Sequence, residues 1–274
     1  MDLDGVSRDL RGRFDARVQA RERALPASRR AIRSCANAIR AIHRGEFELA
    51  HRLMEEARAA IDEGLAAVAE HPDIRFAGYL QDAQKEYAEA RLTEVIVDGG
   101  RQVPSPDALG VEDAPYLNGM AEAIGEARRR VLDLLRAGRV DEGDAVLAAM
   151  EDLYGVLVTM DYPDAITGNL RRATDVARSL IEKTRGDLAV ARVSQNLHDA
   201  LDRHAREVLG KKPPLGTPCS GPPPAPPRPP PKSVFNVEVF SCWNSSVGGN
   251  GMCRKNPIRR SGRSSRSIAG TSCI

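Results

Sequence analysis

The chain has 274 residues, 42% hydrophobic but only 4% aromatic. Ala, Leu, Arg and Glu, good helix formers and poor strand formers, dominate its first three quarters, which predicts an all-α fold. Residues 211–274 hold 10 of the 40 basic residues and one of the 38 acidic ones, Glu238, leaving 30 basic against 37 acidic in residues 1–210, a net of −7; bulk positive charge as the means of holding a polyanion is thereby excluded for the body of the chain.

In chain order, residues 4 to 24 read as a charged helix with no apolar core of a signal peptide in it. "ALPASRR" is expected to interrupt it, because Pro26 is poorly tolerated in a helix interior and Ser28 is placed to cap the next helix. Ile32, Ala36, Ile39 and Ile42 then recur at helical spacing up to a break at Gly45. A third helix covers about residues 46 to 70, with Leu49, Leu53, Ala57, Ile61 and Leu65 in register. A fourth runs from about 74 to 98 on a stripe of Phe76, Leu80, Ala83, Tyr87 and Ala90, and "DGG" ends it in a left-handed turn. After a polar loop, a fifth starts near Pro115 and carries Met120, Ile124, Ala127, Val131 and Leu134. A sixth spans about 141 to 160, and a seventh and eighth about 170 to 185 and 187 to 209. Long helices with short connections predict a bundle over residues 1–210.

Past residue 210 the composition changes abruptly. Residues 211–232 hold eleven prolines and read as an extended polyproline linker. Residues 233–274 have no sustained period and read as a disordered basic tail, whose sudden onset also resembles an appended or frame-shifted segment. Cys242 and Cys253 lack the neighbours that complete a zinc site, and Cys35, alone in the body, reads as a small buried residue. No window approaches the roughly 18 uninterrupted apolar residues of a membrane span, so a cytoplasmic protein is expected.

The stretch "KEYAEARLTEV" carries Glu86 and Glu89, which share a helix face; "YLNGMAEAIGEARRR" carries Glu122 and Glu126, again on one face. Two helices that each offer a carboxylate pair can bracket a hard divalent cation, Mg²⁺ or Mn²⁺. Spacing alone favours a solvated acidic face over a metal site, since such pairs arise often among 37 acids.

The words "QKEYAEA" and "YLNGMAEAIGEARRR", in this order on successive long helices, resemble the signature segments of the translin/TRAX family, a Glu-Tyr-x-Glu-Ala word followed by Tyr-Leu-x-Gly-x-x-Asp-x-x-Gly-Glu. Looser likeness extends to "SRRAIR", "DYPDAITGNLRRATDV" and "EKTRGDL", and covers most of residues 20 to 210. The resemblance implies an all-α protein of the translin type that assembles as a homo-oligomer into a closed multisubunit shell and binds single-stranded RNA or DNA. The TRAX branch supplies an Mg²⁺-dependent endoribonuclease site. By position, Glu86, Glu89 and Glu126 match the family's acids, while Glu122 stands where the family has aspartate, one methylene shorter. Having all four acids places the chain nearer the catalytic branch.

Arg128, Arg129 and Arg130, just after Glu126, and Arg171 and Arg172 on a later helix are suited to gripping phosphates. Few aromatics are available for base stacking, so sequence-specific reading is not expected. The five histidines match no zinc or triad spacing and are expected at the surface or in caps. Glu151 and Asp152 are candidates for supporting the metal from behind. The sequence therefore predicts a metal-dependent endoribonuclease acting on single-stranded RNA, with Glu86, Glu89, Glu122 and Glu126 holding Mg²⁺ or Mn²⁺ and no membrane partner. The alternatives are a translin-like module that binds RNA or DNA without cutting it, and a helical scaffold whose acids only solubilise.

Overall fold

The structure, a computed structural model, describes residues 3–100 and 102–209. These lie in the first of the two units into which the chain divides, Met1–Leu215 and Gly216–Ile274. The proline-rich linker, the basic tail and the Cys242/Cys253 pair expected from the sequence lie outside the described residues.

The described residues form helices α1 (Leu3–His43), α2 (Phe47–Ala67), α3 (Pro72–Arg75), α4 (Tyr79–Asp98), α5 (Pro106–Leu109), α6 (Asp113–Arg136), α7 (Val140–Leu157), α8 (Asp164–Thr167) and α9 (Leu170–Leu209), with no strand among them. The all-α long-helix bundle expected from composition is what the chain forms. None of these helices is long and apolar enough to cross a membrane.

The break expected at Pro26 does not occur; Pro26 sits inside the 41-residue α1. A proline there removes one hydrogen bond and crowds the carbonyl four residues back, at a cost of about 3 kcal/mol. Burial on both sides of it offsets that cost: Ala20, Ala24, Ala27, Ala31 and Cys35 are all fully enclosed or nearly so. Ser28 is no cap. It is buried mid-helix, and its Oγ donates to the Tyr79 carbonyl at 2.6 Å, tying α1 to the start of α4. The two helices expected over residues 170 to 209 are likewise one, α9, because the interruption rested on Gly186, which costs a helix only about 1 kcal/mol. Conversely, the start expected near residue 74 moves to Tyr79. Gly78 adopts φ +99, a left-handed conformation that stops α3 and lets α4 begin, and Phe76, expected in the apolar stripe, is 62% exposed.

The helices pack in two groups, α1, α2 and α4 on one side and α6, α7 and α9 on the other, joined where α6 crosses α4. Their shared core is rich in alanine, including Ala38, Ala41, Ala57, Ala83, Ala88, Ala123 and Ala127, filled out by Ile42, Met54, Ile61, Leu92, Ile124 and Met150. Small side chains let the helix axes approach closely. As a result α4 is enclosed on nearly every side. Its expected stripe (Leu80, Ala83, Tyr87, Ala90) is buried, and so are Gln84, Glu89, Thr93 and Glu94, which a one-sided helix would leave in water.

Candidate metal centre

At the α4–α6 crossing the backbones nearly touch, because Gly119 of α6 has no side chain. A Cβ on Gly119 would stand 2.6 Å from the Lys85 carbonyl oxygen, 2.9 Å from Ala88 Cβ and 3.0 Å from the Glu89 nitrogen. Three residues further along α6, Glu122 therefore meets Glu86 and Glu89 of α4. One carboxylate oxygen from each of Glu86, Glu89 and Glu122 lies within 4.8 Å of the others.

The electrostatics of the three differ. Glu89 is only 8% exposed, and its carboxylate makes no hydrogen bond or ion pair among the described residues. Burial, then the charges of Glu86, Glu122 and Glu126, push its carboxyl up from 4.5 to about 8. Glu86 is pushed up too, again mainly by burial, with Lys85 opposing. Glu122 is more open and receives the Lys85 ammonium on Oε1 at 2.7 Å; the same Nζ lies 3.3 Å from Glu86 Oε1. Oxygen donors at this spacing suit a hard divalent ion, whose charge would offset the burial and the neighbouring acids that raise Glu89. The donor set thus fits Mg²⁺ or Mn²⁺.

Glu126, one helical turn on, is not among the three gathered oxygens. Its Oε2 is 2.6 Å from His43 Nε2 and 3.5 Å from the Arg129 guanidinium. The His43 hydrogen bond, despite the opposing effect of burial, holds the Glu126 carboxyl below its usual range. His43 corrects the expectation of a surface or capping histidine: its side chain is 4% exposed. Its Nδ1 is buried with no partner, so the hydrogen is assigned to Nε2, where it donates to Glu126 and leaves no buried donor unmet. The signal was present in the sequence, since His43 lies four residues after Ile39 and so continues the buried face of α1. Lys85 and Gly119 lie inside the two signature words, but only the structure gives them a role: Lys85 meets the acids and Gly119 admits the close crossing. Beneath the cluster, Cys35 is a buried free thiol, pushed up by burial and then by Glu86 and Glu89.

Two hollows flank the cluster. One, of about 490 Å³, lies between α4, α6 and the start of α9 and is lined by Glu89, Glu122, Asn118, Asn169 and Arg172. The other, of about 590 Å³, is lined by Lys85, Asp82, Gln81 and Glu112 and shares Asn118 and Glu122 with the first. Of the five arginines singled out in the sequence, Arg172 alone lines a hollow beside the acids. Arg128 clasps α6 to α9, donating to Thr184 Oγ1 at 2.9 Å and Asp187 at 2.8 Å. Arg129 is exposed beside Glu126, Arg130 is half-buried, and Arg171 pairs in the open with Asp161 at 3.0 Å. Glu151 is held by Arg185 of α9, and Asp152 is exposed.

No protein-family model matches the chain. An uncharacterized protein of Methanocaldococcus jannaschii is 34% identical over 186 residues, which span 67% of this chain and 81% of that protein. Among solved structures, AfC3PO from Archaeoglobus is 31% identical with a TM-score of 0.64, covering 71% of this chain and 98% of its own. AfC3PO in complex with duplex RNA gives 31% identity and a TM-score of 0.62 over the same shares. Apo-NeC3PO from Nematostella, 21% identical with a TM-score of 0.59 over 69% of this chain and 97% of its own, shares the fold.

Proposed function

The chain belongs to the translin family, with the C3PO proteins, and on that premise we propose that it binds RNA and cleaves it as a metal-dependent endoribonuclease acting on single strands. One observation carries the reading: three carboxylates converge within 4.8 Å, and the one at their centre of repulsion, Glu89, is buried without a partner. Glu86, Glu89 and Glu122 would hold Mg²⁺ or Mn²⁺, with Glu126 one turn away. Such an ion, when bound, supplies Lewis acidity, lowering the pKa of water and offsetting charge on a phosphate.

The chain's own residues supply the rest. His43 donates to Glu126 and keeps that carboxylate ionised and oriented. Arg172, across the hollow from Glu89, is placed to hold a phosphate of the strand by its paired N–H donors. Asn118, donating to the carbonyls of Ala114 and Thr167, fixes the turn from α8 into α9 that presents Arg172. AfC3PO is seen with duplex RNA, so both strand forms enter the test. Labelled single-stranded and duplex RNA are incubated with purified protein and Mg²⁺, with and without chelator. Products that appear only with metal, and vanish in Glu89→Ala, support the reading; parental cleavage by that variant rules it out.

A second reading, an RNA-binding module that does not cut, is favoured by the occupation of Glu122 by Lys85 and of Glu126 by His43. It predicts binding with no metal-dependent products. We also propose a homo-oligomer, supported by apolar side chains left exposed at helical spacing: Leu3, Val6, Leu10, Phe14 and Val18 on α1, and Val190, Val193, Leu197 and Leu201 on α9. A monomer by light scattering would refute that assembly, and with it the closed shell.

A further inference from the structure

Among the residues around the three carboxylates, Lys85 is the one whose position those acids alone explain. Its Nζ bridges α4 and α6, 2.7 Å from Glu122 Oε1 and 3.3 Å from Glu86 Oε1, and its side chain is only 22% exposed. Among the described residues no backbone carbonyl or neutral side chain accepts from that ammonium, so its seat consists wholly of two of the three carboxylates that converge. Glu89, the third, gains no bond from it.

A lysine is a single point charge on a flexible four-carbon stem, and can leave such a seat without disturbing the backbone. A second seat is within reach. Asp82 lies three residues earlier on the same face of α4, its carboxylate makes no hydrogen bond or ion pair among the described residues, and it lines with Lys85 and Glu112 the hollow of about 590 Å³.

We propose that Lys85 is a stand-in cation. It neutralises Glu86 and Glu122 in the metal-free protein, a divalent ion competes with it for the same two carboxylates, and on loading the ammonium moves toward Asp82. This rests on the metal-binding reading of the cluster. Metal affinity is then held down by the work of displacing an ion pair and of keeping a like charge nearby. In exchange, the metal-free cluster is spared the repulsion of bare neighbouring carboxylates, so the fold does not depend on the ion. Lys85 is a positioning and regulating residue; it is not assigned contact with the reacting atoms.

The test is Mn²⁺ titration of the full chain, monitored by the electron paramagnetic resonance signal of free Mn²⁺, for the parent, Lys85→Met, Lys85→Arg and Glu89→Gln. Methionine keeps most of the stem and removes the charge. The expected result is a Kd for Lys85→Met at least about tenfold below the parent's, Lys85→Arg close to the parent, and Glu89→Gln much weaker than all of these. Thermal melts give a second readout: without metal Lys85→Met melts below the parent, and Mn²⁺ raises its midpoint by more. If Lys85→Met is unfolded without metal, Lys85→Gln, which retains a donor, takes its place in both assays. Equal or weaker binding by the uncharged variants, with Glu89 still required, overturns the stand-in role and leaves the metal site standing. Absence of Glu89-dependent binding in every protein overturns the site itself, and the inference with it.

Discussion

Two glutamates five residues apart on α4 are buried to the same degree, Glu89 at 8% and Glu94 at 9% exposure, yet their surroundings are opposite. Glu94 is held from both sides, by His51 of α2 and by Arg91 at 3.1 Å on its own helix. Glu89 has no such partner and faces Glu86 and Glu122 instead. A buried acid with fixed partners is part of the scaffold. One left unpaired among other acids keeps its proton toward neutral pH and is free to exchange it for a cation.

The contrast can be broken most sharply with paired substitutions. Glu89→Gln should lower metal-dependent RNA cleavage by about 100-fold or more, the effect of removing a ligand, while leaving the metal-free fold as stable as the parent or more so. Glu94→Gln should do the reverse, costing about 1–3 kcal/mol in urea unfolding with cleavage per folded molecule retained. Similar losses of stability in both variants would erase the distinction.

A second contrast sets the close crossing at Gly119 against an open helical glycine. Gly119→Ala must push α6 off the α4 backbone, so about 1–3 kcal/mol of stability and much of the Mn²⁺ affinity should go together. Gly186→Ala, with nothing within 4 Å of the added methyl, should be neutral or slightly stabilising by thermal melt.

The pH dependence sharpens the comparison further. The Glu89 carboxyl lies at about 8 in the folded protein against an ordinary 4.5, so between those values the fold holds a proton that the unfolded chain has released. Its contribution to stability is whole below about 4.5 and is lost as pH rises through about 8. The metal-free midpoint should fall over that window, Glu89→Gln should remove this component, and saturating Mn²⁺ should offset it.

The smallest effects concern the arginines. Arg172→Ala should weaken RNA binding a few-fold without changing the melt. Arg128→Ala, which frees Thr184 and Asp187, should lower stability by about 1 kcal/mol and leave RNA affinity alone. Filter binding and melts on both variants separate the roles.

Much of this architecture is legible in the sequence. Helix-forming composition, apolar spacing and left-handed glycines locate the long helices, and the two acidic words mark Glu86, Glu89 and Glu122, the three acids that converge. What stays hidden depends on tertiary packing. Pro26 reads as a break because local rules do not include the alanine contacts that hold α1 together around it. Likewise, α4 reads as a one-sided helix, though α1, α2, α6 and the edge of α7 enclose it. Gly119 is a weak helix residue until another backbone comes within reach of its missing Cβ. Lys85 looks like a solvated charge until α6 brings Glu122 to it, and His43 is legible only through the register it shares with Ile39.

The central claim is that Glu86, Glu89 and Glu122 together cage one divalent ion. A crystal soaked in Mn²⁺ and measured for anomalous scattering tests it most directly. The account predicts a single strong peak about 2.1 Å from an oxygen of each of the three carboxylates, absent from Glu89→Gln crystals. A parent crystal with no peak there, or with Mn²⁺ bound only at other acids, would contradict it.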